Sequence, residues 1–231
     1  MGKLEIIVQN EKDALEAEKF GADQLELVSA IDEGGLTPSY GTIKRVVKSV
    51  DIPVMVMIRP HSYSFHYTDL EALAIIEDVQ MIRNIGAAGI VFGALTKDNT
   101  IDRKLLRSVI DAAGEMDITF HRAFDHVDNV KAAYRTLCDY SNHVTRILTS
   151  GGKDEVQRGL STLQSLMSLQ KQLSGPVIMP GGGLNEGNIE RIHKELFAEE
   201  YHIGSAMRIN RKYSERLDDK KMHNLRLLIG E

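Results

Sequence analysis

The chain has 231 residues, 42% of them hydrophobic, and its 28 Lys and Arg against 33 Asp and Glu give a formal net charge of −5. This composition is typical of a globular protein and excludes a disordered, collagen-like or low-complexity chain. The acidic balance argues against a general nucleic-acid binder, because a surface of that sign repels phosphate backbones.

Short runs rich in Val, Ile and Met alternate along the whole chain with longer stretches in which apolar residues recur at helical spacing. We predict eight strands, at residues 4–8, 24–27, 54–58, 89–92, 118–121, 145–148, 177–179 and 201–203. Helix N-caps are predicted at Asn10, Thr68, Asp102 and Asp128, and helix C-caps at Gly21 and Gly86.

The spacing of these elements predicts the fold. Strand starts recur about every 20 to 35 residues, which is the length of a βα unit, and the strands are apolar on both faces, as parallel strands under helices are. Eight such units indicate a single (β/α)₈ barrel of the TIM type. The alternative is an open doubly wound sheet with a glycine-rich turn after its first strand, but the first turn, Gln9-Asn10-Glu11, contains no glycine.

The chain shows no linker or break in composition, so we predict one domain. Residues 1–206 form the barrel, and residues 207–231 form a polar C-terminal tail of the same domain with a helix near residues 220–228.

Polar residues stand where the predicted strands end, and in a barrel of this type those ends build the functional site. Glu26 interrupts an apolar strand, which is costly unless its carboxylate is paired or used. His121 ends the fifth strand, and its ordinary pKa suits acid/base work. We predict that Glu26 and His121 exchange protons; the alternative for His121 is a core histidine held by one hydrogen bond. Arg122 and Asp125 are expected to pair with each other or with the rim.

An anion-binding site is predicted at the same mouth. Arg59 shares a strand face with Met55 and Met57 and offers a guanidinium for the charge of a substrate; alternatively, it forms an ion pair with Glu26. Glycine-rich turns follow strands seven and eight, where barrels often hold a phosphate. The predicted anion-binding residues besides Arg59 are Thr149, Ser150, Gly181, Gly182, Gly183, Gly204 and Ser205. The alternative is that these glycines only form tight turns.

The polar loop at residues 32–39 follows the second strand. It forms either a lid over the mouth or a connection in which a helix begins near Thr37-Pro38. The sequence shows no closely spaced Cys/His set for structural zinc, no P-loop and no nucleophile elbow.

The location of the protein is predicted from what the sequence lacks. A single cysteine cannot form an intramolecular disulfide, which fits a reducing cytosol. The first residues show no secretory pattern, and the longest apolar stretch, residues 86–95, is about half the length of a membrane span. We therefore expect a cytoplasmic protein that contacts neither membrane nor nucleic acid.

Six sequence strings, in order along residues 4 to 206, resemble the CutC copper homeostasis family. They are Glu33-Gly34-Gly35-Leu36-Thr37-Pro38-Ser39, Val56-Met57-Ile58-Arg59-Pro60, Val91-Phe92-Gly93-Ala94-Leu95-Thr96, Thr119-Phe120-His121-Arg122-Ala123-Phe124-Asp125, Ile147-Leu148-Thr149-Ser150-Gly151 and Met179-Pro180-Gly181-Gly182-Gly183. The resemblance implies a cytosolic TIM barrel that is often a homo-oligomer, is linked to copper tolerance and binds or buffers Cu(I).

The residues of this chain fit Cu(I) poorly. Cu(I) prefers thiolate and thioether ligands, and members of the family often carry cysteines near the ends of strands one and two, where this chain has Ile7 and Val28. Its one cysteine, Cys138, falls in a helical stretch away from the predicted mouth. The remaining soft donors are Met55, Met57 and Met179, and methionine inside an apolar strand is mostly core filler.

Three hypotheses about function follow. The first is a copper homeostasis protein that binds Cu(I), as the resemblance implies. The second is an enzyme with isomerase or lyase chemistry on a small phosphorylated or carboxylated metabolite, in which copper effects are indirect. The third is a barrel with a vestigial mouth that associates with partners.

Overall fold

The computed structural model describes residues 2–230 and places eight parallel strands inside eight helices within that range. The strands are β1 (Lys3–Val8), β2 (Gln24–Leu27), β3 (Val54–Met57), β4 (Gly89–Phe92), β5 (Asp117–Phe120), β6 (Val144–Thr149), β7 (Val177–Pro180) and β8 (Glu200–Ile203). The helices are α1 (Glu11–Lys19), α2 (Tyr40–Ser49), α3 (Asp69–Ile85), α4 (Arg103–Ala113), α5 (Val130–Cys138), α6 (Val156–Leu173), α7 (Ile189–Leu196) and α8 (Asp219–Leu228). Each predicted strand is present, with its ends within one residue of the prediction.

The strands form a ring. Neighbouring strands pair in parallel from β1 through β7, and β8 pairs with β1. Strands β7 and β8 meet at a single parallel bridge, between Gly181 and His202, which closes the barrel. This arrangement confirms the predicted (β/α)₈ barrel and excludes the open doubly wound sheet, whose two outer strands never meet.

Helix ends follow the predicted signals at most positions. Side chains cap the helices at Asn10, Thr68 and Asp102, Thr68 with a complete capping box, and Gly86 ends α3 in the left-handed region. The C-cap predicted at Gly21 lies one residue earlier, at Phe20. The N-cap predicted at Asp128 is wrong, because the side chain of Asn129 accepts the Ala132 N–H at 3.0 Å and caps α5.

The two faces of the barrel wall differ in chemistry. The outer face is apolar and packs against the helices, as Leu25, Ile90 and Ile147 do. The inner face is apolar at β3 and β4, where Met55, Met57 and Val91 form a small cluster. It is polar at β1, β2 and β8, where the buried residues are Glu5, Gln24, Glu26, Glu200 and His202. The polar side of the barrel interior is therefore where β8 closes against β1.

The segment after residue 206 places several apolar side chains in the core. It contains α8, and Met222, Leu225 and Ile229 are fully buried in the same core as the barrel. The N–H of Gly2 donates a hydrogen bond to the carbonyl of Ile229 at 2.9 Å. The helix predicted near residues 220–228 is α8, and its buried side packs into the core of the barrel. Within residues 2–230, every helix is too short or too polar to cross a bilayer.

The loop after β2 folds back on itself. Residues Ile31–Glu33 form a short 3₁₀ helix, and Ser29 and Leu36 form an antiparallel bridge. Helix α2 begins at Tyr40 with Ser39 as its N-cap, later than the predicted start near Thr37-Pro38.

Candidate functional site

A cavity of about 310 Å³ opens where the carboxyl ends of the strands meet. Its walls include Glu26, Met57, Arg59, Phe65, His121, Arg122, Gly182, Gly183, Leu184, His202, Gly204, Ser205 and Tyr213. The structure therefore brings together Glu26 and His121, which were predicted to exchange protons, and five of the eight predicted anion-binding residues, Arg59 among them. Three others, Thr149, Ser150 and Gly181, are outside the wall of the cavity.

Glu26 lies beside a histidine that was not among the predicted site residues. His202 Nε2 is 3.8 Å from Glu26 Oε2, and His202 Nδ1 is 2.7 Å from Glu5 Oε1. Glu5 thereby holds the ring so that Nε2 faces Glu26. All three side chains are at most 8% exposed.

The pKa values of both Glu26 and His202 are raised. Burial raises the pKa of Glu26 to about 7, with His202 opposing the rise and Glu5 adding to it. Burial lowers the pKa of His202, but the attraction of Glu26 and the hydrogen bond to Glu5 outweigh it and leave the pKa raised. A carboxyl group whose pKa is near 7, beside a histidine whose pKa is raised, is suited to acid/base chemistry.

His121 lines the cavity but differs from the expected proton carrier. Its Nδ1 accepts the N–H of Ala123 at 3.1 Å, so in the neutral ring the hydrogen is on Nε2. Burial, followed by repulsion from Arg59, lowers the pKa of His121 to about 3. Nε2 is buried without a hydrogen-bond partner. At neutral pH His121 is therefore an uncharged hydrogen-bond donor, and the histidine that lies beside Glu26 is His202.

Arg59 is committed to the backbone of two loops. Its Nη1 donates to the carbonyls of Glu33, Gly34 and Gly35 at 3.2–3.4 Å, and its Nη2 donates to the carbonyl of Ser62 at 3.0 Å. Arg59 is not paired with Glu26 among the described residues. Its Nε is buried without a hydrogen-bond partner, so its role as an anion anchor stays a prediction. Arg59 holds the loop after β2 against the loop after β3, which favours the fixed connection over a mobile lid.

The end of β6 binds a carboxylate that belongs to the protein. Asp125 accepts hydrogen bonds from the Ser150 N–H at 3.1 Å, the Gly152 N–H at 2.8 Å and the Thr149 hydroxyl at 2.5 Å. Thr149 and Ser150 are fully buried. The Thr149 hydroxyl and the Ser150 N–H both donate to Asp125, so neither is available to bind an external anion.

Arg122 pairs with Asp125, as predicted, through Nε at 2.8 Å. Its Nη2 donates to the Ser150 hydroxyl at 2.8 Å and to the carbonyl of Lys153 at 2.9 Å. Its Nη1 takes part in no hydrogen bond within residues 2–230, and it lies 3.2 Å from the position a Cβ on Gly182 would occupy. Arg122 therefore presents one charged donor at the wall of the cavity.

The turn after β7 exposes backbone donors. Gly182 and Gly183 have φ values of +111° and +76°, a conformation that favours glycine. Within the described chain, no group accepts the N–H of Gly183 or Leu184, whereas the Gly181 N–H donates to the carbonyl of Thr149 and the Gly181–His202 bridge turns the Gly182 N–H toward the carbonyl of His202. We call the amides of residues 183 and 184 the amide cradle. Gly181 stands outside it and packs against Leu148 and His202.

The turn after β8 is covered by Tyr213. A Cβ at Gly204 would overlap the hydroxyl of Tyr213, so glycine is needed for this contact. Burial raises the pKa of Tyr213 to about 12, which keeps its hydroxyl protonated at neutral pH. Gly204 and Ser205 thus line the cavity together with a neutral hydroxyl.

The soft donors are dispersed. Met55 and Met179 are fully buried, and the Met55 sulfur would be 2.8 Å from a Cβ on Gly89, so it fills the space that this glycine leaves. Met57 alone of the three lines the cavity. Cys138 is on α5, where burial raises the pKa of its thiol. The described residues bring no two of these sulfurs together at the mouth.

Two site residues were missed from the sequence, Glu5 and His202. Both stand at inward positions of short strands whose neighbours are apolar. The sequence does contain a signal for them. Side chains alternate between the two faces of a strand, so a charged residue between outward-facing apolar residues points into the barrel.

Comparison with known proteins identifies relatives over most of the chain. Residues 2–207 match the model of the CutC family. A human protein named copper homeostasis protein cutC homolog is 41% identical over 202 residues, which are 87% of this chain and 72% of that protein. A CutC family protein of Salmonella heidelberg (strain SL476) is 40% identical over 190 residues, 82% of this chain and 75% of that protein.

Solved structures are similar in fold. The crystal structure of CutC from Streptococcus agalactiae has a TM-score of 0.81 and 29% identity, covering 88% of this chain and 98% of that one. Phosphoribosyl anthranilate isomerase from Thermotoga maritima has a TM-score of 0.65 over the full length of both chains at 14% identity, a likeness that concerns the fold alone.

Proposed function

This chain belongs to the CutC family, and we propose that its barrel mouth binds a small phosphorylated or carboxylated metabolite and performs acid/base chemistry on it. Isomerase and lyase reactions fit best, because they require only positioned proton donors and acceptors and an anchor for the charge. The names of the relatives indicate a role in copper handling. In this proposal that role is indirect.

One observation carries the proposal. The amide cradle and Arg122 Nη1 form a group of unpaired donors on one side of the cavity. Backbone amides that converge without side chains, beside a guanidinium, are suited to a phosphate or carboxylate. The same cavity contains Glu26 and His202, so a bound anion lies within reach of a proton donor and a proton acceptor.

The roles of the individual groups follow from their surroundings. Glu26 and His202 exchange protons with the ligand, with Glu5 as the positioning residue for the imidazole. His121 remains neutral and donates a hydrogen bond through Nε2 to an oxygen of the ligand. Arg59 holds the loop that forms the opposite wall.

Inorganic phosphate is expected to raise the melting temperature of the protein above that in sodium chloride of the same ionic strength. At ten times its Kd, a ligand adds about 1.4 kcal/mol to the free energy of unfolding, and each kcal/mol corresponds to about 2–4 °C for a chain of this length. In Gly182→Ala the phosphate shift should disappear, because the new Cβ stands 3.2 Å from Arg122 Nη1 at a residue with φ of +111°.

The matched control is Gly41→Ala in α2, where nothing lies within 4 Å of the added Cβ. Each variant is compared with its own melting temperature without phosphate, so a general loss of stability does not imitate a loss of binding. A full phosphate shift in Gly182→Ala would remove the amide cradle from the proposal.

Cu(I) binding is the second candidate function, and the names of the relatives favour it. Its ligands in this chain would have to include Met57, the methionine in the cavity wall. One thioether beside carboxylates and imidazoles is a poor set for a soft ion. The donor chemistry of the mouth therefore fits an organic anion better than Cu(I).

A titration with Cu(I) under reducing, anaerobic conditions separates the two candidates. We expect the chelator to take Cu(I) equally well from the wild-type protein and from Met57→Leu. The substitution conserves side-chain volume, so the variant keeps the fold and any difference would report on copper binding. Stoichiometric binding by the wild type that Met57→Leu weakens would contradict this expectation and establish a Cu(I) site. If the protein responds to neither phosphate nor Cu(I), the vestigial-mouth hypothesis gains.

A further inference from the structure

We propose that Glu26 and His202 bind a divalent cation of the borderline class, such as Zn²⁺ or Co²⁺, at the base of the mouth cavity, with Glu5 as the outer carboxylate that orients the imidazole. Each of the three residues offers one ligand atom, and these atoms lie within 4.8 Å of one another. The inference shares the cavity of the proposed function but replaces one of its steps: with the ion bound, Glu26 and His202 are its ligands and do not exchange protons with the substrate.

The distances suit a shared cation. Glu26 Oε2 and His202 Nε2 are 3.8 Å apart, and an ion about 2.1 Å from each of two such atoms fits between them at an open angle. The hydrogen bond from His202 Nδ1 to Glu5, at 2.7 Å, leaves the lone pair of the neutral ring on Nε2. A carboxylate behind a histidine ligand is a common arrangement at protein metal sites.

An unsatisfied atom points to a missing partner at the same place. Glu26 Oε1 is buried and has no hydrogen-bond partner, although Glu26 is only 2% exposed. A buried carboxylate oxygen without a partner is costly. A cation bound through Oε2 would also satisfy Oε1 by bidentate coordination.

The charges in the cluster favour a divalent ion. Glu5 and Glu26 are two carboxylates, and His202 is the cationic or neutral group between them. Two ionised carboxylates and a neutral imidazole are balanced by a charge of +2. Because one nitrogen and several oxygens are neither soft thiolates nor an all-oxygen cage, Zn²⁺ and Co²⁺ fit better than Cu(I) or Ca²⁺.

The remaining coordination positions face the cavity, where Glu26 and His202 form part of the wall. Such an open site can bind an oxygen of a ligand that the amide cradle holds by its charged end, and the ion then polarises that oxygen as a Lewis acid. The cation and the cradle bind different groups, so each can be measured without the other.

The test is calorimetric titration of chelator-treated protein with Zn²⁺ alone. We expect one Zn²⁺ per chain, and we expect Glu26→Gln to weaken its binding at least tenfold, because the amide keeps the shape of the side chain and loses its charge. The matched control is Glu155→Gln, which removes an exposed carboxylate beside Gly183 at the same mouth. It should change the affinity less than twofold.

A second measurement does not depend on a variant. Co²⁺ in place of Zn²⁺ should give visible absorption bands of a nitrogen and oxygen site, without the intense near-ultraviolet band of a thiolate ligand such as Cys138. Equal Zn²⁺ affinity in the wild type and Glu26→Gln, or no Zn²⁺ binding to the wild type, would overturn the inference. If Zn²⁺ binding fails but phosphate still raises the melting temperature, the proposed function stands without the cation site. If Zn²⁺ binds but phosphate does not raise the melting temperature, the cation site stands and the proposed function fails.

Discussion

Between pH 6.5 and 4.5 the free energy of unfolding of the wild-type protein should fall by about 2.3 kcal/mol relative to that of His121→Asn. His121 is buried against Phe65 and Phe120, and burial lowers its pKa to about 3. Asparagine places Oδ1 close to the position of Nδ1 and can still accept the Ala123 N–H. The variant therefore keeps an acceptor for the Ala123 N–H and loses the titrating ring.

The sign follows from where the proton binds. Below pH 6.5 the unfolded chain takes up a proton on residue 121, whereas the folded protein does so only near pH 3. Stability from the neutral buried ring is therefore complete above pH 6.5 and falls by about 1.4 kcal/mol for each pH unit below it. Arg59 and His126, which also repel a proton on this ring, are present in both proteins.

Urea unfolding of both proteins at several pH values measures this difference. The control is His223→Asn, which replaces an exposed histidine of α8 and should follow the wild type at every pH. A constant difference between the wild type and His121→Asn from pH 7 to 4.5 would show that the folded protein protonates His121 as readily as the unfolded chain does. Its assignment as a neutral donor would then fail.

Asp125→Asn is expected to reduce the free energy of unfolding by about 3 kcal/mol, since it leaves buried donors facing an amide group. The carboxylate of Asp125 accepts from Thr149, Ser150, Gly152 and Arg122. At about 2–4 °C per kcal/mol, the melting temperature should fall by about 6–12 °C.

The control for this prediction is Asp111→Asn on the exposed face of α4, which should change the free energy of unfolding by less than about 0.5 kcal/mol. The phosphate shift should also weaken in Asp125→Asn, because Arg122 loses the partner that fixes its guanidinium. A loss of stability below 1 kcal/mol would mean that water replaces the carboxylate and that the end of β6 is available to an external anion.

The barrel was predictable because its signals are local. Each strand is a short apolar run, and each helix has its own caps, so the pitch of the units shows the fold without knowledge of any long-range contact. The same reasoning located the mouth. Glu26, His121 and the glycines after β7 stand at strand ends, and barrel geometry alone brings strand ends together.

The partners of these groups were not predictable, because they come from distant parts of the chain. Glu5 and His202 are 197 residues apart and meet only because β8 closes against β1. Thr149 and Ser150 look like free donors in sequence, but Asp125, 24 residues earlier than Thr149, occupies them. The sequence predicts which face of β3 carries Arg59. It does not predict the carbonyls that Arg59 binds, because their positions depend on how residues 33–35 fold back.

The single bridge between β7 and β8 makes the barrel wall mechanically uneven. Other neighbouring strands are joined by ladders of three or four residue pairs, but this seam has one, at Gly181 and His202. The amide cradle lies on one side of the seam, and His202 with the turn at Gly204 lies on the other. The stiffness of the wall is therefore lowest beside the candidate site. A ligand that contacts both sides links β7 to β8. Its binding should therefore slow hydrogen exchange of the β7 and β8 amides more than that of the β3 or β4 amides.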